Sequence, residues 1–337
     1  MAQYVVRHGV DTFFNYGEET VAYGTVAGSF NETLGIVQSA NTSKNRNVTR
    51  IRGFSGPLVS SNASVTPRDT RAQLPGTFSG GVNISYQPYD FRFLKYVFGS
   101  ETGDGTTGTP YNYPQATAAT DADRLKYLKL PSFSFKTNYR FGGTSAAANK
   151  SWNLLGCKVN TYNISGSIGE PISASTDIIF AEPVGVEALG TPVAISNLDP
   201  YHFNGIDIEI PEGTPVPNIV DSFSLDIANG LVAHYGLGSE LVRAITEEAR
   251  DFTLNLTLNK EGTTFVNQLI GATAYSALTF LPEIRIVLTA SATRITTLHL
   301  LGCVLNQNDE QGNYPNVAKE SLVYYPRLVY VTERVTT

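Results

Sequence analysis

Cysteine, tryptophan and methionine are nearly absent from this 337-residue chain, which holds two, one and one of them. Two cysteines cannot build a disulfide framework, and neither has a second Cys or a His at zinc-ligand spacing. Both therefore read as buried structural thiols, and the four histidines (His8, His202, His234 and His299) read as structural too. Charge is also sparse, with only 16% of residues Asp, Glu, Lys or Arg. No stretch reaches the roughly 18 apolar residues that span a bilayer, and the start, MAQYVVRHGV, lacks the basic and apolar regions of a signal peptide. These absences predict a chain made and kept in a cytoplasm, whose eight Asn-x-Ser/Thr triplets reflect composition rather than glycosylation. No Gly-x-x-x-x-Gly-Lys-Ser/Thr loop, Gly-x-Ser-x-Gly elbow or His-Glu-x-x-His pair occurs. The stretch GSETGDGTTGTP lacks acids at alternate positions and reads as an exposed loop rather than a calcium site. No catalytic residue, metal or cofactor is expected.

What the chain has is Thr, Ser, Asn, Gly and Tyr, a composition suited to β-structure with polar, uncharged surfaces. The net charge of −6 hides an asymmetry. Between Val159 and Leu241 there is no Lys or Arg, while acids from Glu170 to Glu240 recur throughout. The segment from Lys44 to Arg71 holds Lys44, Arg46, Arg50, Arg52, Arg68 and Arg71 against one acid, Asp69. Opposed patches of this kind steer association and fix register, so the basic segment is a candidate arm docking on an adjacent assembly layer. The alternative is a solvated loop. The whole polar stretch from Asn41 to Gly81 is too long for an ordinary hairpin connection and is expected to be disordered or ordered by a neighbour.

LLGC stands at 154–157 and again at 300–303, and other pairs follow in the same order. IVQS (36–39) is echoed by IVDS (219–222), VNISYQPYDFRFLKYVFG (82–99) by FTLNLTLNKEGTTFVNQLIG (252–271), and LPSFSF (130–135) by LPEIRI (281–286). Four marks in one order indicate an internal duplication. Each unit alternates apolar with polar residues, as at Val82, Ile84 and Tyr86 or Leu254, Leu256 and Leu258, the signature of strands with one buried face. Asn83, Ser85, Asn255 and Thr257 then belong to an outward polar face. Asp207 and Glu209 in IDIEI lie opposite Ile206, Ile208 and Ile210, so they read as an acidic or lumen-facing stripe rather than a glycosidase pair. One short helix follows in each unit, near 88–99 and 263–271, each stopped by a glycine. The segment 238–250 has helical propensity but is expected to be extended, because its counterpart near 68–80 is broken by Pro and Gly. The expected fold is mainly β: two tandem β-sandwich domains, 1–185 and 196–337, joined by a Pro- and Gly-rich linker at 186–195, each with one short flanking helix.

YGEETVAYGTVA (16–27), LGIVQS (34–39), the strand-helix YQPYDFRFLKYVFG and LLGCKVNTYNISGSIGEPISASTDIIF (154–180), with VDSFSLDIANGLVAHYGLGSE in the second half, resemble the tail tube (major tail) proteins of long-tailed bacteriophages and related viruses. The resemblance is one of pattern over nearly the whole chain. It implies a structural virion protein whose subunits form stacked rings, a hollow tail tube through which viral DNA passes without specific binding. It also implies tape-measure and tail-end proteins as assembly partners, a virion-tail location after assembly in the host cytoplasm, and no membrane binding. Most members carry one such domain in six-subunit rings; two domains per chain suggest a pseudo-sixfold ring of three chains. A conduit of this kind should not grip phosphates, which suits polar, uncharged or acidic walls. The rival readings are another virion β-protein, such as a baseplate or capsid-decorating subunit, and a carbohydrate-binding β-sandwich. The last is disfavoured because most aromatics fall on faces that alternation buries.

Overall fold

The computed structural model describes residues 12–51, 59–60, 63–64, 72–114, 129–139, 150–186, 189, 191–193, 199–211, 213–214, 216, 220–259, 280–311 and 318–335. These form β1 (Thr12–Glu18), β2 (Ile36–Ile51), β3 (Val59–Ser60), β4 (Ala63–Ser64), β5 (Ala72–Gln87), α1 (Leu94–Phe98), β6 (Tyr111–Tyr113), β7 (Phe133–Tyr139), β8 (Lys150–Ser167), β9 (Ser173–Phe180) and β10 (Glu182–Val186). They continue as β11 (Ile206–Glu209), β12 (Val220–Ala228), β13 (Leu231–Tyr235), β14 (Val242–Glu247), β15 (Asp251–Asn259), β16 (Phe280–Ser291), β17 (Arg294–Gln311), β18 (Lys319–Tyr325) and β19 (Leu328–Val335). Alternation makes these strands. In β9 the residues Ala174, Thr176, Ile178 and Phe180 are buried, while Ser173, Ser175 and Asp177 are not. The chain is mainly β, built on large antiparallel sheets, with one short α-helix among the described residues.

Strand connectivity repeats. β8 and β17 are both 18-residue strands whose first halves lie between the preceding strand (β7 or β16) and the second strand after them (β10 or β19). Their second halves form hairpins with the next strand, β9 or β18. β9 then pairs with β5 and β5 with β2; correspondingly β18 pairs with β15 and β15 with β12. β1 flanks β7 as β11 flanks β16. Even the irregularities coincide: Val37/Ser39 and Val220/Ser222 bound one pair of bulges, and Val159/Thr161 and Leu305/Gln307 another. A bulge is a specific local disruption of the ladder, so its recurrence fixes the residue equivalence. IVQS and IVDS contain the first pair of bulges, and each LLGC mark ends two residues before a bulge of the second pair. LPSFSF and LPEIRI, by contrast, are out of step: Cys157 faces Phe133 and Cys303 faces Leu281, so Leu281 corresponds to Phe133 and not to Leu130. Both strands are apolar there, and a two-letter match could not fix their register.

The LLGC marks bend their strands. Gly156 and Gly302 have φ of 64° and 60°, a region that a side chain disfavours. The next residue, Cys157 or Cys303, is buried and donates its Sγ proton to the carbonyl three residues back, Leu154 or Leu300, at 3.3 Å in both. Burial pushes both thiols up, Cys303 to about 12. A Cβ at Gly156 would meet Ala181 Cβ and Tyr23 Cζ at 2.9 Å, whereas at Gly302 the nearest contact is Arg327 Cβ at 3.3 Å. Gly302→Ala should therefore cost ~1–2 kcal/mol from backbone conformation alone, and Gly156→Ala distinctly more. Urea unfolding of the two variants against the parent checks the order.

The two repeats are not separated in the core. β12 pairs with the second half of β8, so one sheet runs from β11 through β16, β17, β18, β15, β12, β8, β9 and β5 to β2. A single buried cluster extends from Tyr16 to Val331. α1 caps the first repeat: Phe91, Leu94 and Phe98 are buried, and Gly99, at φ 102°, ends it with its N–H on Lys95 O at 2.9 Å. Beneath it Tyr16, Phe93, Tyr96 and Phe133 pack at ring distances of 4.7 to 6.3 Å.

One carboxyl is trapped in this core. Glu333 of β19 accepts from the backbone N–H of Phe91 at 2.8 Å and from the Tyr113 hydroxyl at 3.3 Å. Burial, followed by the charge of Asp90, pushes it up to about 8, against the pull of these two hydrogen bonds and of Arg92. Between about pH 5 and 8 the unfolded chain has released a proton that the folded chain keeps, so this group makes the fold less stable as pH rises. Glu333→Gln should remove that component, at most ~1.4 kcal/mol per pH unit. Thermal unfolding from pH 5 to 8 should show a flatter dependence in the variant than in the parent.

The segment from Asn41 to Gly81 departs from expectation. It is largely a long hairpin, with β2 and β5 paired from Ile36↔Gln87 to Ile51↔Ala72. The backbone ladder, rather than a buried side-chain face, extends it, which is why no alternation announced it. The segment 238–250 is extended over Val242–Glu247, where β14 pairs with β13, and is preceded by a turn. The second expected helix (263–271) and half of the expected linker (186–195) lie outside the described residues.

Candidate assembly surfaces

Opposite the core, eight adjacent strands (β2, β5, β9, β8, β12, β15, β18 and β17) present one continuous polar face. One row across it reads Ser39, Ser85, Ser175, Asn163, Asp226 and Thr253; another reads Ser173, Ser165, Ser224, Asn255, Val323 and Gln307. All four neutral residues singled out in the sequence are here: Asn83 and Ser85 on β5, Asn255 and Thr257 on β15. They alternate with buried Val82, Ile84, Leu254 and Leu256. The side chains bond mainly to one another. Asn163 Nδ2 donates to Ser224 Oγ at 2.7 Å and Asp226 Oδ1 at 2.6 Å, and Asn255 Nδ2 donates to Asp226 Oδ2 at 3.2 Å. The acids Asp177, Asp226 and Asp309 carry the charge. Lysines at the margins are neutralised: Lys319 by Asp221 at 2.6 Å, and Lys158 by Glu247 at 2.5 Å beneath the β13–β14 hairpin.

Asp207 and Glu209 are placed elsewhere. They lie on β11, at the far end of the sheet beyond β16. The alternation holds, since Ile208 and Ile210 are buried and Asp207 is exposed. Glu209, however, is tied to Arg285 at 3.4 Å and to the N–H of Gly213 at 2.8 Å, so it belongs to a local ion-pair cluster.

A family profile described as phage tail tube protein matches residues 9–323. The chain belongs to that family. Comparison with curated proteins gave no match. A tail tube protein is a structural part of the virion tail.

The basic segment of this tail tube protein is divided. Arg52, Arg68 and Arg71 lie outside the described residues, whereas Lys44, Arg46 and Arg50 are on β2. Lys44 Nζ sits 3.5 Å above the Trp152 ring. Arg46 pairs with Glu240 at 2.8 Å, and the Phe78 N–H donates to Glu240 O at 2.7 Å. The attraction between the basic segment and the Lys/Arg-free interval thus operates within one chain, holding the β2–β5 hairpin against the loop before β14. Arg50 stays exposed.

The nearest approach to a catalytic relay in the described residues is Glu283–His299–Thr332. His299 Nδ1 is 2.7 Å from Glu283 Oε1 and Nε2 is 3.2 Å from Thr332 Oγ1, with the ring stacked on Tyr330 at 4.2 Å. Burial and the Arg285 charge hold the imidazole down to about 4, so it is neutral near pH 7 even beside Glu283. Thr332 lies in a strand paired on both sides, with β17 and β6, which commits the neighbouring backbone donors an oxyanion would need.

Arg46 and Glu240 are both solvent-accessible, with side chains 60% and 37% exposed. A double-mutant cycle of Arg46→Ala and Glu240→Ala should return less than ~1 kcal/mol of coupling, vanishing in high salt. A larger, salt-insensitive value would show that this contact fixes the hairpin.

Proposed function

We propose that three copies of this chain close into a ring with six structural repeats, and that rings stack into the hollow tail tube through which viral DNA passes. The eight-strand polar face carries the reading, forming the inner wall. Its Ser, Thr and Asn side chains satisfy one another, and its acids repel phosphate. Lys or Arg on such a wall would exchange for counterions and retain the DNA. The repeats act as two tube domains, 1–185 and 196–337, fused by the β12–β8 pairing, so that half of the ring's domain junctions become covalently linked. The chain takes no catalytic part, assembles in the host cytoplasm beside the tape-measure and tail-end proteins, and does not bind membranes.

Contact between stacked rings is assigned to the outer part of the β2–β5 hairpin, with Arg50 and the basic residues beyond it facing acids of the next ring. Purified chain concentrated at low ionic strength should give hollow filaments in negative stain, with threefold rings in end view; compact particles or shell fragments would contradict the tube. Arg46, Arg50 and Arg52 replaced together by Ser should leave a folded chain that forms short tubes or isolated rings, and added salt should do the same to the parent. Variant tubes as long and as fast-growing as the parent's would remove the hairpin from the ring-to-ring contact.

A further inference from the structure

β13 and β14 stand apart from the sheet that joins the two repeats. Among the described residues they pair only with each other, from Leu231↔Glu247 to Tyr235↔Val242, and the hairpin belongs to the second repeat while lying on the first. Its base is fixed. Asn229 is buried, its Nδ2 donating to Val97 O at 3.1 Å and Val159 O at 3.0 Å and its Oδ1 accepting from Arg250 Nε at 2.7 Å; Gly230, at φ 54°, begins the free arm. Beyond that base the hairpin rests on a small apolar cluster separate from the main core, in which Val242 and Ile245 meet Ala181, Ile179 and Tyr23. The buried Tyr23 hydroxyl there has no hydrogen-bond partner among the described residues. A unit that buries so little apolar surface opens at a lower free energy than the strands around it.

The polar contact beneath this hairpin is a buried ion pair. Lys158 Nζ, on a side chain only 4% exposed, donates to Glu247 at 2.5 Å and to Ile245 O at 2.9 Å, and Glu247 also accepts from the Leu130 N–H at 2.9 Å. The second repeat shows that the fold does not require a charge at this place. There the equivalent of Lys158 is Val304, which faces Tyr325 as Lys158 faces Ile179, and Tyr325 is 47% exposed. The covered copy of the face thus carries the charge and the open copy is apolar, the reverse of what burial alone selects. Desolvation offsets much of the attraction in a buried pair, so it closes a surface less firmly than apolar groups of the same volume would.

We propose that β13–β14 is a brace that opens as one unit about Gly230 and Arg250 while both repeats stay folded, and that Lys158–Glu247 is its latch. The brace has a second grip at its tip. The Tyr235 hydroxyl donates to Phe78 O at 3.0 Å, and the Glu240 carbonyl accepts from the Phe78 N–H at 2.7 Å. Phe78 lies just outside the stretch of β5, Gly80–Tyr86, that pairs with β9. Release of the latch thus also loosens β5 where the β2–β5 hairpin leaves the sheet. This device belongs to the single chain and does not depend on the ring reading.

Hydrogen exchange of the unassembled chain, followed by mass spectrometry and corrected for intrinsic rates, tests it. Peptides covering 231–247 should exchange together and at least ~10-fold faster than those from β12 and β15, the strands on either side in sequence. Glu247→Gln keeps an acceptor for Leu130 but strands the buried Lys158 charge. It should speed exchange over 231–247 and at Phe78 by a further ~10-fold or more, with β8, β12 and β15 at parent rates. Lys158→Met combined with Glu247→Gln removes the stranded charge and should bring exchange back to within about threefold of the parent. Parent exchange over 231–247 in step with β12 and β15 overturns the independent opening, and this test needs no substitution, so a variant that misfolds leaves it intact. A Glu247→Gln chain that exchanges faster everywhere, or a double variant as fast as the single one, overturns the latch. Faster exchange over 231–247 with Phe78 unchanged overturns the coupling to β5.

Discussion

The pairing of β12 with β8 is the contact on which the rest of this molecule depends. It runs for seven residue pairs, from Ser222↔Ser167 to Ala228↔Thr161. It buries Leu225, Ile227, Tyr162 and Ile164 on one side and sets Asp226 against Asn163 on the other. Two similar units that would each end in a bare edge thereby become one sheet with one core. The burial of four large apolar side chains stabilises the junction by several kcal/mol, at ~1.5–3 kcal/mol each. The backbone ladder mainly supplies direction and register.

That junction explains why the polar face is continuous. Strands from two repeats can present eight adjacent rows only if they share hydrogen bonds across the boundary. On the core side, alternation holds the same strands in place through Val82, Ile84, Leu254 and Leu256. A single arrangement thus separates a packed interior from a surface of self-satisfied hydroxyls and amides. A face of this kind offers phosphate little to bind.

Much of this was legible in the sequence, and the reasons are physical. Period-two alternation announced the strands and correctly put Asn83, Ser85, Asn255 and Thr257 on the side away from the core. LLGC was a dependable mark because its glycine needs a positive φ and its cysteine a fully buried site, two demands few other residues meet. The glycine stop at Gly99 was readable for a similar reason. The LP marks failed because proline and leucine near a strand end carry no such constraint. The length of the β2–β5 hairpin was hidden, since a polar strand supported by its ladder has no hydrophobic period. Asp207 and Glu209 had the expected alternation, but only the strand order shows β11 lying beyond β16, away from the polar face. The Arg46–Glu240 contact was foreshadowed in charge alone: composition can say which patches attract, but not whether they meet within one chain.

The central claim is that the polar face becomes the inner wall of a closed tube, and site-directed labelling tests it most directly. Asn255→Cys, reacted with a maleimide carrying a bulky polymer, should label readily in the free chain, while the buried Cys157 and Cys303 stay silent. In assembled tubes the same cysteine should react with a small maleimide but be shielded from the bulky one except at tube ends. Equal reaction with the bulky reagent in tubes and in free chain would place this face outside, and the account of the wall would fall.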